Sequence, residues 1–311
     1  MTSSLIRHVT IQNLAWDTSA DIYLPPDFDE TRKYPAIVST HPIGSCKEQT
    51  SGNVYAASLA REGFVAVAFD ASFQGDSGGS PRFIEDPSIR VSDIRFVIDY
   101  LVALPYVDEN RIGAIGVCGG GAYTINAAIT DHRIKALVSV TGVNFGRLMR
   151  EGFSNFDPVG ALEAMAAQRT AEARGAKRNV IDYLPPSVAA GRESGVTDID
   201  VLEATDYYKT SRGQTPNGAT SGLFSFNSAA MAWDAFAHAE VLLTQPLMVV
   251  IGDKPGGFGA YRDGWEIYGR AATTNKQIVV VEGASHYDLY DKPEPVGHAL
   301  ARVAPFFKEN L

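Results

Sequence analysis

Six short, unbroken apolar runs separated by helix-like stretches constrain this chain more than any other feature. They occupy residues 36–40, 64–69, 112–117, 136–140, 247–251 and 278–281. A strand covered on one face alternates apolar and polar residues. A run that is apolar throughout predicts burial on both faces, as in a parallel sheet. Parallel neighbours cannot be joined by a tight hairpin, so each pair needs a crossover. The sequence supplies helical stretches for them at 53–61, 88–104, 121–130 and 296–311. The second carries Val91, Ile94, Val97, Ile98 and Leu101 on one stripe and is halted by Pro105. Strand and helix in alternation predict a doubly wound α/β sheet. Residues 9–12 and 21–24 alternate instead, which predicts an antiparallel N-terminal edge stopped by Pro25-Pro26.

The rhythm breaks between residues 147 and 240, where helical pieces at 158–173 and 201–209 are separated by Gly/Pro/Ser/Asn-rich segments. This divides the chain into a core, 1–146 with 241–311, and a helical insertion, 147–240. Ligands bind at the carboxyl edge of such sheets, so the insertion is expected to act as a lid there. Phe153, Tyr183, Tyr207, Tyr208, Phe224, Phe226, Trp233 and Phe236 would line an acyl pocket or form the insertion's own core.

Composition narrows the partners. A formal net charge of −9 argues against nucleic acid and anionic membrane surfaces. No apolar run reaches the roughly 18 residues of a membrane span, and residues 1–7 lack the pattern of a secretory signal. With two cysteines there is no disulfide framework, and a reducing cytoplasm is the expected compartment. No metal-ligand spacing is visible and no cofactor is called for.

The chemistry concentrates at Gly116-Val117-Cys118-Gly119-Gly120, between a buried strand and a helix. This is the G-x-S-x-G nucleophile elbow with cysteine for serine. The helix N-terminus is expected to lower the thiol pKa from its free value of about 8.5. A phosphate-binding turn is the alternative, but the run is the third parallel strand rather than the first, and no Gly-Lys-Ser/Thr sequence follows. His286 lies directly after the last apolar run, where this fold carries its general base. The orienting acid should follow residues 247–251. Asp253 is the nearest carboxylate and Asp263 the alternative. The N–H of Gly119 supplies one oxyanion donor. Pro42 has none to give, so Ile43 is the expected second donor, with Gly44 behind it. His41 and Asp76 fall near the site with structural roles open. Cys46, in the same loop, is either inert or a redox partner of Cys118.

These segments together resemble the dienelactone-hydrolase-like branch of the α/β-hydrolase superfamily. They resemble still more the YcjY-type hydrolases and the fungal thiohydrolase and polyketide-transferase proteins. The resemblance rests on His41-Pro42 with Lys47-Glu48-Gln49, Asp70 to Gly79, the Cys118 elbow, and Ser285-His286-Tyr287-Asp288 through Pro293. It implies Cys118 as nucleophile and His286 as base, and dienelactone hydrolases' Cys-His-Asp set supports an acid after residue 251. The expected activity is cleavage of an ester, lactone or thioester through an acyl-cysteine. Acyl transfer to an alcohol or thiol, ligand binding without turnover, and peptidase activity are the alternatives. The expected partner is a small-molecule acyl substrate, with homodimerisation left open.

Overall fold

The computed structural model describes residues 5–152 and 156–311. Among the described residues ten strands occur in chain order: β1 (Ile6–Gln12), β2 (Asp17–Tyr23), β3 (Tyr34–Thr40), β4 (Val65–Phe69), β5 (Val107–Val117), β6 (Ile134–Val140), β7 (Val180–Asp182), β8 (Ser221–Leu223), β9 (Leu247–Gly252) and β10 (Lys276–Val281). Eight form one sheet in the order β1-β2-β4-β3-β5-β6-β9-β10. From β4 to β10 every pairing is parallel, whereas β2 pairs antiparallel with both β1 and β4. This is the α/β-hydrolase fold, with the antiparallel edge where the alternating segments predict it.

The first five apolar runs divide their side chains between two cores, whereas the sixth, on the edge strand β10, buries Val279 and Val281 but leaves Val280 39% exposed. Along β9, Leu247, Val249 and Ile251 join the layer formed with helices Pro87–Val102, Gly119–Thr130 and Ala260–Arg270. Met248 and Val250 join the opposite layer, with helices Ala57–Arg61 and Pro293–Asn310. Burial on both faces therefore explains why the first five runs carry no polar alternation. Local chemistry sets several helix ends. Asp86 caps Pro87–Val102 by accepting from the N–H groups of Ser88 and Ile89, and Pro87 fills the first turn.

The chain runs from β3 outward to β4 and then returns to the other side of β3 as β5. Connections leaving adjacent strands in opposite directions open a crevice at their carboxyl ends, the place where such sheets bind ligands. Ile43 follows β3 and Cys118 follows β5, so both sit at that crevice. Between β6 and β9 the chain forms helices Phe145–Glu151, Pro158–Ala173, Val188–Glu193 and Ile199–Lys209. It also forms the small antiparallel ladder β7–β8, which the sequence reading did not anticipate. Among the described residues no helix is long and apolar enough to cross a membrane.

Candidate active site

Cys118 stands where β5 turns into helix Gly119–Thr130, with φ 54° and ψ −127°. A residue bearing a side chain takes this backbone only when its surroundings impose it. Here they do: its N–H donates to Val140 O at 3.0 Å, and its carbonyl accepts from Gly121 and Val143 at 2.9 and 3.0 Å. The strain lifts the side chain toward a cavity of ≈ 400 Å³, lined from the core by Ile43, Val143 and Phe258 and from the insertion by Tyr183, Leu184 and Tyr208. No described lining side chain is charged.

The backbone N–H groups of Gly119 and Ile43 both face the sulfur and favour its thiolate. A Cβ on Gly119 would lie 3.6 Å from the Ile43 nitrogen, so the two backbone segments lie side by side at the sulfur. The Tyr290 hydroxyl also faces the sulfur, without the geometry of a full hydrogen bond. Burial nevertheless outweighs all three and, helped by the nearby Asp200 charge, pushes the thiol up to about 11. The expected lowering by the helix N-terminus is thus reversed in sum, because removing a thiolate from water costs more than these dipoles return.

The loops that hold Ile43 explain the Lys47-Glu48-Gln49 segment. The buried Lys47 ammonium bonds Asp70 at 3.0 Å, Asp76 at 2.8 Å and Glu48 at 2.6 Å, tying the β3 loop to the β4 loop. The Gln49 side-chain carbonyl accepts from Ser45 Oγ at 2.6 Å, and its amide donates to Gly213 O in the insertion at 2.6 Å. Cys46, Glu48 and Asp70 place ligand-type atoms within 4.8 Å of one another, but the Lys47 ammonium already pairs with both carboxylates of that cluster. His41 is buried, its Nε2 accepting from Ala71 N–H at 3.0 Å, and does not line the cavity. Both cysteines are free.

His286 follows β10 and is almost fully buried, with ring centroids of Tyr287, Tyr290 and Phe258 at 4.8, 5.5 and 5.8 Å. Burial lowers its pKa to about 3, so the imidazole is neutral at pH 7, the form a general base requires. Neither ring nitrogen has a hydrogen-bond partner among the described residues. The imidazole and the Cys118 sulfur therefore share one edge of the sheet without being hydrogen-bonded.

The two acids expected from the sequence stand elsewhere. Asp253 is exposed and makes no bond to His286. Asp263 is buried but committed: it pairs with Arg147 at 2.6 and 2.8 Å and accepts from Asn144 N–H at 2.7 Å. Neither orients the imidazole here. Of the aromatic residues of the insertion, Tyr183 and Tyr208 line the cavity, while Phe236 is core and Trp233 packs on Tyr123. Phe153 lies outside the described residues.

Two groups near the sulfur escaped the sequence reading. Tyr290 lies four residues beyond His286, and a helical turn there would have signalled it. Asp200 sits in the insertion, where an acid early in a helix reads as a dipole-compensating surface residue.

Comparison with known proteins fits this geometry. The chain is 42% identical to the uncharacterised protein YcjY of Escherichia coli K12, over 100% of both chains. It superposes on the crystal structure of the hypothetical protein PA2218 of Pseudomonas aeruginosa with a TM-score of 0.88 at 32% identity, covering 100% of this chain and 95% of that one. A shorter match, 32% identical over 36% of each chain, is to a thiohydrolase of Eupenicillium brefeldianum. The sequence profile of the X-Pro dipeptidyl-peptidase (S15) family matches residues 18–179, which include the Cys118 elbow and stop short of His286. The chain belongs to the S15 family, within the α/β-hydrolase superfamily.

Proposed function

We propose that this protein cleaves an ester, lactone or thioester of an apolar acyl group through an acyl-cysteine on Cys118. One observation carries the reading: a strained, cavity-facing cysteine at a ≈ 400 Å³ uncharged cavity, with the N–H groups of Gly119 and Ile43 converging on its sulfur. His286 takes the thiol proton as the sulfur attacks the acyl carbon. The carbonyl oxygen becomes an oxyanion between the two N–H groups, where each such donor is typically worth about 3–4 kcal/mol. The intermediate collapses, the leaving group departs with the proton from His286, and water attacks the acyl-cysteine with the same imidazole as base.

S15 peptidases use serine, and a dipeptidyl-peptidase must hold a charged N-terminal ammonium. The described cavity lining offers no carboxylate for one, which favours an acyl substrate over a peptide. The partial match to a thiohydrolase points the same way. The uncharged cavity also favours a second reading, acyl transfer to an alcohol or thiol, because a dry site disfavours water as the attacking group.

The test is to incubate the protein with activated esters and thioesters of apolar acids and search Cys118 for an acyl adduct by mass spectrometry. An adduct on Cys118, absent in Cys118→Ala together with turnover, is expected. Turnover that survives Cys118→Ala would overturn the proposal, and adding an alcohol or thiol acceptor separates hydrolysis from transfer.

A further inference from the structure

The loop after β9, residues 253–258, is where this sheet order places the acid that orients the base. Its own carboxylate, Asp253, is exposed. The interior of that loop is instead filled by a carboxyl group from elsewhere: a Cβ on Gly256 would lie 2.2 Å from Cγ of Asp200. Asp200 is the second residue of helix Ile199–Lys209 and is 1% exposed. The start of that helix clips the loop at two successive amides. Gly257 N–H donates to Asp198 Oδ2 at 2.8 Å, and Phe258 N–H donates to Asp200 Oδ2 at 2.9 Å.

The other oxygen, Asp200 Oδ1, has no hydrogen-bond partner among the described residues, and neither does either nitrogen of His286. Both residues line one small cavity of ≈ 10 Å³, with Thr141, Gly252 and Lys254. That volume is about the room of a single water. A buried acceptor lacking a donor and a buried imidazole lacking an acceptor thus face one space. Each would otherwise cost about 1–3 kcal/mol left unsatisfied.

We infer that Asp200, delivered by the insertion, is the carboxylate that orients His286, directly or across one water. This rests on the reading of Cys118 and His286 as nucleophile and base. When the imidazole takes the proton from the Cys118 sulfur, its second N–H donates to Asp200, whose ionised form stabilises the imidazolium. Asp200 is a positioning residue. Because it belongs to the insertion, the relay is complete only while helix Ile199–Lys209 is seated on the β9 loop, so docking of the insertion and activation of the thiol are one event. Asp198 at the N-cap and Glu203 on the same helix, Lys254 and Tyr261 around the cavity, Tyr287, and Cys118 are the other titratable groups facing it. Burial with the charges of Asp198 and Glu203 holds the Asp200 carboxyl up at about 7.

The test reads alkylation of Cys118 by iodoacetamide, mapped by mass spectrometry from about pH 5 to about pH 9, because alkylation follows the thiolate. Asp200→Asn is expected to slow it about tenfold or more at neutral pH and to shift the profile, Asp200→Glu to recover part, and Asp253→Asn to stay within about twofold. A merely electrostatic role predicts the opposite sign, since the Asp200 charge disfavours the thiolate. Unchanged or faster alkylation in Asp200→Asn, or an equal loss in Asp253→Asn, would overturn the inference. Should Asp200→Asn fail to fold, Gly256→Ala pushes a methyl against the same carboxyl and must give the same loss, and unchanged alkylation there refutes it equally. Alkylation needs no ester. An Asp200 dependence without ester turnover would remove the hydrolase reading and leave this one standing, and Cys118-dependent turnover indifferent to Asp200 would do the reverse.

Discussion

Gly116 and Gly120 approach so closely that a Cβ on Gly116 would lie 2.1 Å from the Gly120 carbonyl oxygen. That contact lets β5 turn straight into the helix and holds Cys118 at its positive φ. Nothing on the far side can give way, because the atom met is backbone. Gly116→Ala is therefore expected to cost about 2–3 kcal/mol, read as a lower urea midpoint. An unchanged midpoint would mean that the turn does not depend on this approach.

Tyr290 is the one side-chain hydroxyl among the groups that favour the Cys118 thiolate. Tyr290→Phe removes it while keeping the ring that packs on His286. Alkylation of Cys118 should slow by about threefold to tenfold at neutral pH, less than a full hydrogen bond to a charged group would give because the contact lacks that geometry. A faster reaction would show that the hydroxyl holds the thiol instead.

Asp263 balances Arg147, which is itself buried on helix Phe145–Glu151. Asp263→Ala strands that guanidinium and should cost about 3–5 kcal/mol, measured by denaturant unfolding. The pH profile of Cys118 alkylation in the folded protein should not move. A stable variant with a displaced profile would restore Asp263 as the orienting acid.

Asp200 also predicts how stability responds to pH. Its folded-state pKa, raised by burial to about 7, exceeds the unfolded value of about 3.9. Between those two pH values the folded chain keeps a proton that the unfolded chain has lost. Stability attributable to this group is thus highest below about pH 4 and falls as pH rises toward about 7, by a few kcal/mol at most. Asp200→Asn should remove that slope and be the more stable protein at about pH 8. Urea midpoints that stay parallel for the two proteins across the range would refute this.

Some of the architecture was readable because it is written in local pattern. The runs at 64–69 and 247–251 announce burial on both faces, and the alternation at 21–24 announces the edge. The glycines around Cys118 announce a turn that no side chain fits. The β7–β8 ladder was not legible, because three-residue strands carry too little periodicity to stand out from loop.

The site divided along the same line. Cys118, His286, Gly119 and Ile43 lie at fixed positions relative to strand ends, so the strand pattern was enough to pick them out as candidates. The acid was not legible in this way: proximity in sequence suggested Asp253, which is exposed and makes no bond to His286, while Asp200, the carboxylate that shares the small cavity with His286, lies far away in sequence.

What the amino-acid order determined alone was the sheet, its direction and the turn that presents the sulfur, since each follows from residues within a few positions of one another. The tertiary structure decided which charges meet and which are desolvated. It set Arg147 on Asp263, Lys47 among three carboxylates, and Asp200 in the space left by Gly256. It also raised the thiol and lowered the imidazole. Electrostatic energies depend on distance and on exclusion of water, and neither quantity exists until segments far apart in the chain have packed together.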